Sequence, residues 1–411
     1  MRRLAPILLL LVFVVPIAAQ SPSRINGPRV SPLPEAQWTD DIRAAFAKYG
    51  QGGAATAEFR TWARHPELLK GVLPFATYVS RESTLSPRDR EILILRTAWL
   101  CRSDYVWAQH AAIAQQNGLT ADEIRRVAEG PGATGWNAFD ATLLRMVDEL
   151  HVNAFISDGT WSALSARYDR DHMIDALFAV AEYTLLASAA NTYGVQPDAG
   201  FTARLPVDVP HGTKVPKLTE PQIRLAKARV PALERSAWTP EIHAMFESTN
   251  TGSSPNAFYR TIAPHRKLYP PRHMLSEYIR LKSTLTPRTR EMLILRIGWL
   301  CRSIYEWSQH EPGGRRAGMT DAEIHGIIEG PSAPVWEKFD AAVVRAADEL
   351  FTDSMISDVT WNTLAKHYNT QQLMDIVITT VGYRMVSMAL NSLGVQLEPT
   401  AKGFPPGAVG R

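Results

Sequence analysis

The chain has 411 residues, of which 45% are hydrophobic and 21% charged, and its formal net charge is +3. That length exceeds one typical core and points to two or three domains. The near-balanced charge, with no basic stripe interleaved with aromatics, gives no reason to expect nucleic acid as a partner, and two cysteines, Cys101 and Cys301, are too few for a disulfide scaffold.

The first segment reads as an export signal. Met1, Arg2 and Arg3 precede an apolar run from Leu4 to Ile17, and the small residues Ala18 and Ala19 follow. The run is short for a membrane span of ~20 residues. The expectation is a secreted or periplasmic protein that loses residues 1–19 and keeps no membrane attachment, with an uncleaved anchor as the alternative.

From Pro28 onward the chain repeats itself at a constant offset of 200. Arg29 pairs with Arg229, Trp38 with Trp238, His65 with His265, Asp158 with Asp358 and Asn191 with Asn391. Between Leu85 and His110, 18 of 26 positions are identical to Leu285–His310, and no gap is needed up to Gln196. Two copies of one fold, residues 28–196 and 228–396, follow from this. The stretch 197–227 carries Pro206, Pro210, Pro216 and Pro221 and reads as a linker. Residues 397–411 read as a loosely held tail.

Inside each copy the punctuation is helical. Thr39, and Thr239 followed by Pro240, are N-cap signals; Ser86-Pro87 and Thr286-Pro287 open the next strong helix. Thr120 with Glu123, and Thr320 with Glu323, form capping boxes, while Gly50 and Gly194 fit left-handed C-caps. Apolar spacing at Ile92, Leu95 and Trp99, and at Met173, Leu177 and Val180, has the helical period, and no stretch alternates as a strand does. The fold class expected is all-α, with about seven helices per copy.

One block concentrates chemistry-bearing side chains: Glu91, Arg96, Cys101, Ser103, Tyr105, Trp107 and His110, repeated as Glu291, Arg296, Cys301, Ser303, Tyr305, Trp307 and His310. Glu91 lies among Ile92, Leu93, Ile94 and Leu95, so its carboxylate is expected to be buried, where it needs a donor. Ser303 with Glu306 reads as another capping box, which starts a new helix at Ser103 and Ser303. Ser103, Trp107 and His110 then share one face. A buried carboxylate facing an imidazole suits general acid–base work, because the carboxylate fixes the tautomer. In the second copy, Glu311-Pro312-Gly313-Gly314 follows His310 and predicts a helix that breaks there. The first copy is expected to hold the better-formed site. The histidines are too scattered to suggest a metal site.

The run Arg88–His110, with Arg29-Val30 before it and Asn191-Thr192-Tyr193-Gly194-Val195 after it, resembles the carboxymuconolactone decarboxylase and alkylhydroperoxidase-D-like family over nearly all of both copies. The resemblance implies two tandem helical domains of the alkylhydroperoxidase-D-like type. Its peroxidase branch implies a glutamate, two cysteines separated by two residues, and a histidine. Glu91 and His110 fit, but Ser103 and Val106, and Ser303 and Glu306, stand at the cysteine positions, so the redox dithiol is missing. The decarboxylase branch implies a cofactor-free lyase or isomerase acting on a small carboxylate or lactone. His110 and His310 would then move the proton, Glu91 and Glu291 would orient them, and Arg96 or Arg81, with Ser103, Tyr105 and Trp107, would contact substrate. The family also implies a homo-oligomer, which a tandem copy would mimic within one chain. Three alternatives stay open: a thiol peroxidase using Cys101, a helical binding or scaffold module without chemistry, and a purely structural His110 with Trp107 and Tyr105 as core.

Overall fold

The computed structural model describes residues 24–25, 27–49, 55–217, 225–249 and 255–405. The export-signal reading and the cap at Gly50 lie outside these residues. Among the described residues there is no strand; the chain forms eighteen α-helices, nine in each copy. The first copy contains α1 (Asp40–Lys48), α2 (Ala57–Trp62), α3 (Pro66–Thr77), α4 (Pro87–Leu100), α5 (Asp104–Gln116), α6 (Ala121–Glu129), α7 (Ala138–Asn153), α8 (Asp158–Ser165) and α9 (Arg170–Tyr193). The second repeats them as α10 (Pro240–Ser248), α11 (Ala257–Ile262), α12 (Tyr269–Glu277), α13 (Pro287–Leu300), α14 (Ile304–Arg316), α15 (Asp321–Glu329), α16 (Lys338–Thr352), α17 (Asp358–Leu364) and α18 (Thr370–Leu393). Nine rather than seven arise because α2 and α11 span six residues and α17 seven, too few turns for an apolar period to register.

The cap signals translate directly. Ser86 accepts from the Asp89 amide at 3.1 Å and Thr286 from the Thr289 amide at 3.2 Å, each with proline at the first helical position, where no amide proton is needed. Both capping boxes close, at Thr120 with Glu123 and at Thr320 with Glu323. Helices α9 and α18 end on Gly194 and Gly394 in the left-handed region, at φ 70° and 72°.

Two local expectations are corrected. Helix α14 runs through Pro312 instead of breaking after His310. Its glycines explain this: a Cβ on Gly313 would meet Glu291 Oε2 at 3.1 Å, and one on Gly314 would meet Leu295 at 3.1 Å. They let α14 lie close on α13, and this packing outweighs weak helix propensity. Nor does Ser303 cap α14 through a box, because Glu306 turns inward to His310 instead.

Helices α9 and α18 are long and apolar enough to cross a membrane, yet they are buried and pack on each other at the centre of the molecule. Around them the two copies make reciprocal contacts. Arg29 donates to the Ile356 carbonyl at 2.7 Å and to Asp358 at 2.5 Å; Arg229 donates to the Ile156 carbonyl at 2.8 Å and to Asp158 at 2.5 Å. Asn191 reaches the Ser354 carbonyl and Asn391 the Ala154 carbonyl. The Tyr78 hydroxyl meets His265 at 3.2 Å, and that of Tyr278 meets His65 at 2.8 Å. This is the isologous pattern of a twofold dimer, made within one chain.

The described parts of the connecting segments pack on the helices. In the linker, His211 lies against the Trp99 ring at 5.4 Å and pairs with the Trp99 carbonyl at 3.0 Å. The tail is held through Pro405, against the expectation of looseness: Phe404 packs on Trp299 and Trp307 at 5.0 and 5.5 Å, so one aromatic side chain supplies enough apolar area to pin it.

Candidate functional site

Helix α4 carries Glu91 one turn in from its capped start, and α5 carries His110 two turns from Ser103, which accepts from the Val106 amide. The helices meet so that His110 Nδ1 lies 2.8 Å from Glu91 Oε2, with Glu91 2% and His110 8% exposed. A carboxylate at Nδ1 fixes the proton there and leaves the lone pair of a neutral ring on Nε2. Among the described residues, Nε2 of His110 makes no hydrogen bond. The Tyr183 ring of α9 stands edge-on to the imidazole, centroids 4.8 Å apart.

The second copy repeats the dyad and changes its chemistry. His310 Nδ1 lies 2.8 Å from Glu291 Oε2, and Tyr383 packs edge-on at 4.9 Å. Nε2, however, lies 3.0 Å from Glu306 Oε1. Burial alone would lower the pKa of this ring, but the carboxylates on both sides carry it up to about 9. His310 is therefore an imidazolium at neutral pH. A cavity of about 70 Å³ opens beside it, lined by Arg272, Arg280, Tyr305, Glu306, Gly382 and Tyr383 among others.

The remaining predicted residues divide sharply. Arg96 does not face a substrate: it is 1% exposed, forks onto Asp148 at 2.7 and 3.1 Å, and donates to the Val127 and Ala128 carbonyls. Its donors tie α4 to α6 and α7, a structural task that Arg296 repeats on Asp348. Ser103 is fully buried as the cap of α5, and Trp107 packs against Trp99 at 6.3 Å as core. Tyr105 is spent on the Glu58 amide, Gln109 and Asp198. Arg81 is exposed on the π-helical turn Tyr78–Glu82. Cys101 and Cys301 are buried and form no disulfide, and burial pushes the Cys101 thiol up, opposite to what a reactive thiolate needs.

Sequence reasoning missed four contributors. Tyr183 and Tyr383 recur at the repeat offset and could have been found from it. Glu58 and Glu182 could not, since Phe258 and Gly382 stand at their places in the second copy. Both are fully buried; burial lifts Glu182 to about 8, and burial together with Glu182 raises Glu58 strongly. The first copy thus adds two carboxyls, at least one of them protonated at neutral pH, at positions matching the walls of the second-copy cavity. A larger cavity, about 750 Å³, lies apart from both dyads between residues 209–216 of the linker and α6 and α7, where Arg96 and Asp148 are already paired.

The fold and the repeated acid–imidazole pair define a duplicated all-α protein with two unlike sites. The carboxymuconolactone decarboxylase family matches residues 66–148 and 272–349. One matched stretch falls in each copy. No curated protein matches the chain in sequence. Among solved structures, the apo debrominase Bmp8 aligns at 13% identity over 41% of this chain and 92% of its own, with a TM-score of 0.36. An uncharacterized peroxidase-related protein of Silicibacter sp. TM1040 aligns at 15% identity over 46% and 97%, with a TM-score of 0.37.

Proposed function

We propose that the first copy is a cofactor-independent lyase or isomerase that moves a proton on a small carboxylate or lactone. The observation that carries the reading is the 2.8 Å bond between Glu91 and His110 Nδ1, with Nε2 left unbonded among the described residues. Nε2 takes a proton from carbon next to a carbonyl, or returns one to the dienolate left by loss of carbon dioxide. Glu91 stabilises the imidazolium formed between these events. A thiol mechanism is disfavoured by Ser103 and Val106 at the dithiol positions and by the burial of Cys101.

The test is solvent-deuterium exchange into a panel of small lactones and carboxylated lactones, followed by NMR alongside carbon dioxide release. Wild-type protein should exchange or decarboxylate at least one member, and His110→Gln should lose the activity. Turnover that survives both His110→Gln and Glu91→Gln would refute the assignment.

A further inference from the structure

The second-copy cavity carries more hydrogen-bond donors than the protein satisfies. Arg272 is 1% exposed, donates to Ser276 Oγ at 2.7 Å, and among the described residues leaves Nε unbonded and forms no ion pair. Half-buried Arg280 also leaves its Nε unbonded, and the Tyr305 hydroxyl proton has no acceptor. Buried donors are costly to leave unmade. Three around one cavity call for a ligand rich in acceptors.

Charge selects the kind of ligand. Arg272, Arg280 and the His310 imidazolium face Glu291 and Glu306, which leaves one positive charge in excess. Glu182 approaches Arg272 from the first copy, but burial lifts its pKa to about 8 and holds it mostly neutral. Tyr259 and Tyr383 complete the wall as neutral groups. The volume of about 70 Å³ fits about five water-sized positions, the size of a short-chain acid. The first-copy counterparts of Arg272 and Arg280 are Val72 and Ser80, so only the second copy carries this lining.

We propose that the second-copy cavity binds one small monocarboxylate, of about two to four carbons, through Arg272 and Arg280 beside the His310 imidazolium, and holds it without turnover. The guanidinium fork suits a planar carboxylate. An imidazole locked between two carboxylates has no free lone pair with which to act as a base. The assignment does not depend on catalysis by the first copy, because its readout is binding.

Titrating sodium acetate into the full chain, against acetamide as the neutral isostere, tests it by calorimetry. Saturable heat is expected for acetate and none for acetamide. Arg272→Met and the more exposed Arg280→Met should each weaken acetate by about tenfold or more, with folding checked by circular dichroism. If Arg272→Met fails to fold, Arg280→Met and the isostere decide alone. Acetamide binding as well as acetate, no saturable binding of acetate, or full acetate affinity in Arg280→Met would each overturn the proposal.

Discussion

At position 106 the first copy has valine, and at 306 the second has glutamate, on helices α5 and α14 that span equivalent residues of the repeat. The valine leaves His110 Nε2 open; the glutamate closes His310 between two carboxylates 2.8 and 3.0 Å away. Around them the charged residues differ. Glu58 and Glu182 of the first copy stand where the second has Phe258 and Gly382, and Arg272 and Arg280 of the second stand where the first has Val72 and Ser80. The two copies keep the glutamate–histidine pair and differ around it, so that one imidazole makes no bond at Nε2 among the described residues while the other is a cation held between two carboxylates. What a histidine does in this fold depends on the ligand of its second nitrogen.

The contrast is sharpest in turnover. In the exchange assay, His110→Gln should cost on the order of 10²–10⁴-fold, the usual contribution of a positioned acid–base group, whereas His310→Gln should cost less than about tenfold. Equal losses would abolish the distinction between the copies. Next in size, Val106→Glu should make the first site imitate the second. A ring held protonated up to about 9, as His310 is, is neutral in roughly one molecule in a hundred at pH 7, so the rate should fall about a hundredfold and recover about tenfold per pH unit toward 9. A pH–rate profile that keeps its shape would show that the second carboxylate is not what distinguishes the sites.

The reverse change, Glu306→Val, tests the same comparison through stability. A histidine whose pKa is raised on folding contributes stability that is complete below its unfolded pKa of ~6.5 and is lost as pH rises through about 9. The destabilisation caused by Glu306→Val should therefore be largest near pH 6 and shrink by pH 9.5 in urea titrations. A gap that widens with pH would reverse the assigned charge.

Where the copies remain alike, paired substitutions should behave alike. Arg29→Ala and Arg229→Ala each remove two carbonyl bonds and a pair to an aspartate that is mostly exposed, so each should cost about 1–3 kcal/mol, chiefly through the carbonyls. Midpoints that differ by more than about 1 kcal/mol would break the pseudo-twofold. The smallest effect is expected at Pro312, where the ring denies α14 one bond. Pro312→Ala should stabilise the second copy by about 1 kcal/mol, and a loss of stability would mean that α14 needs the proline.

The sequence alone determined the duplication, the all-α class, the caps at Thr39, Ser86, Thr120 and Gly194, and the pairing of Glu91 with His110. These are local or periodic signals: a cap acts within four residues, a helical face repeats every turn, and an offset of 200 survives in a one-dimensional comparison. Only the tertiary structure decided the rest. Arg96 belongs to Asp148, 52 residues away; Arg272 faces a carboxyl from the other copy; and α14 stays helical because Gly313 lets it approach Glu291. Which charge faces which across a packed interior is set by helices that meet far apart in sequence, and in a buried site that juxtaposition fixes the protonation state.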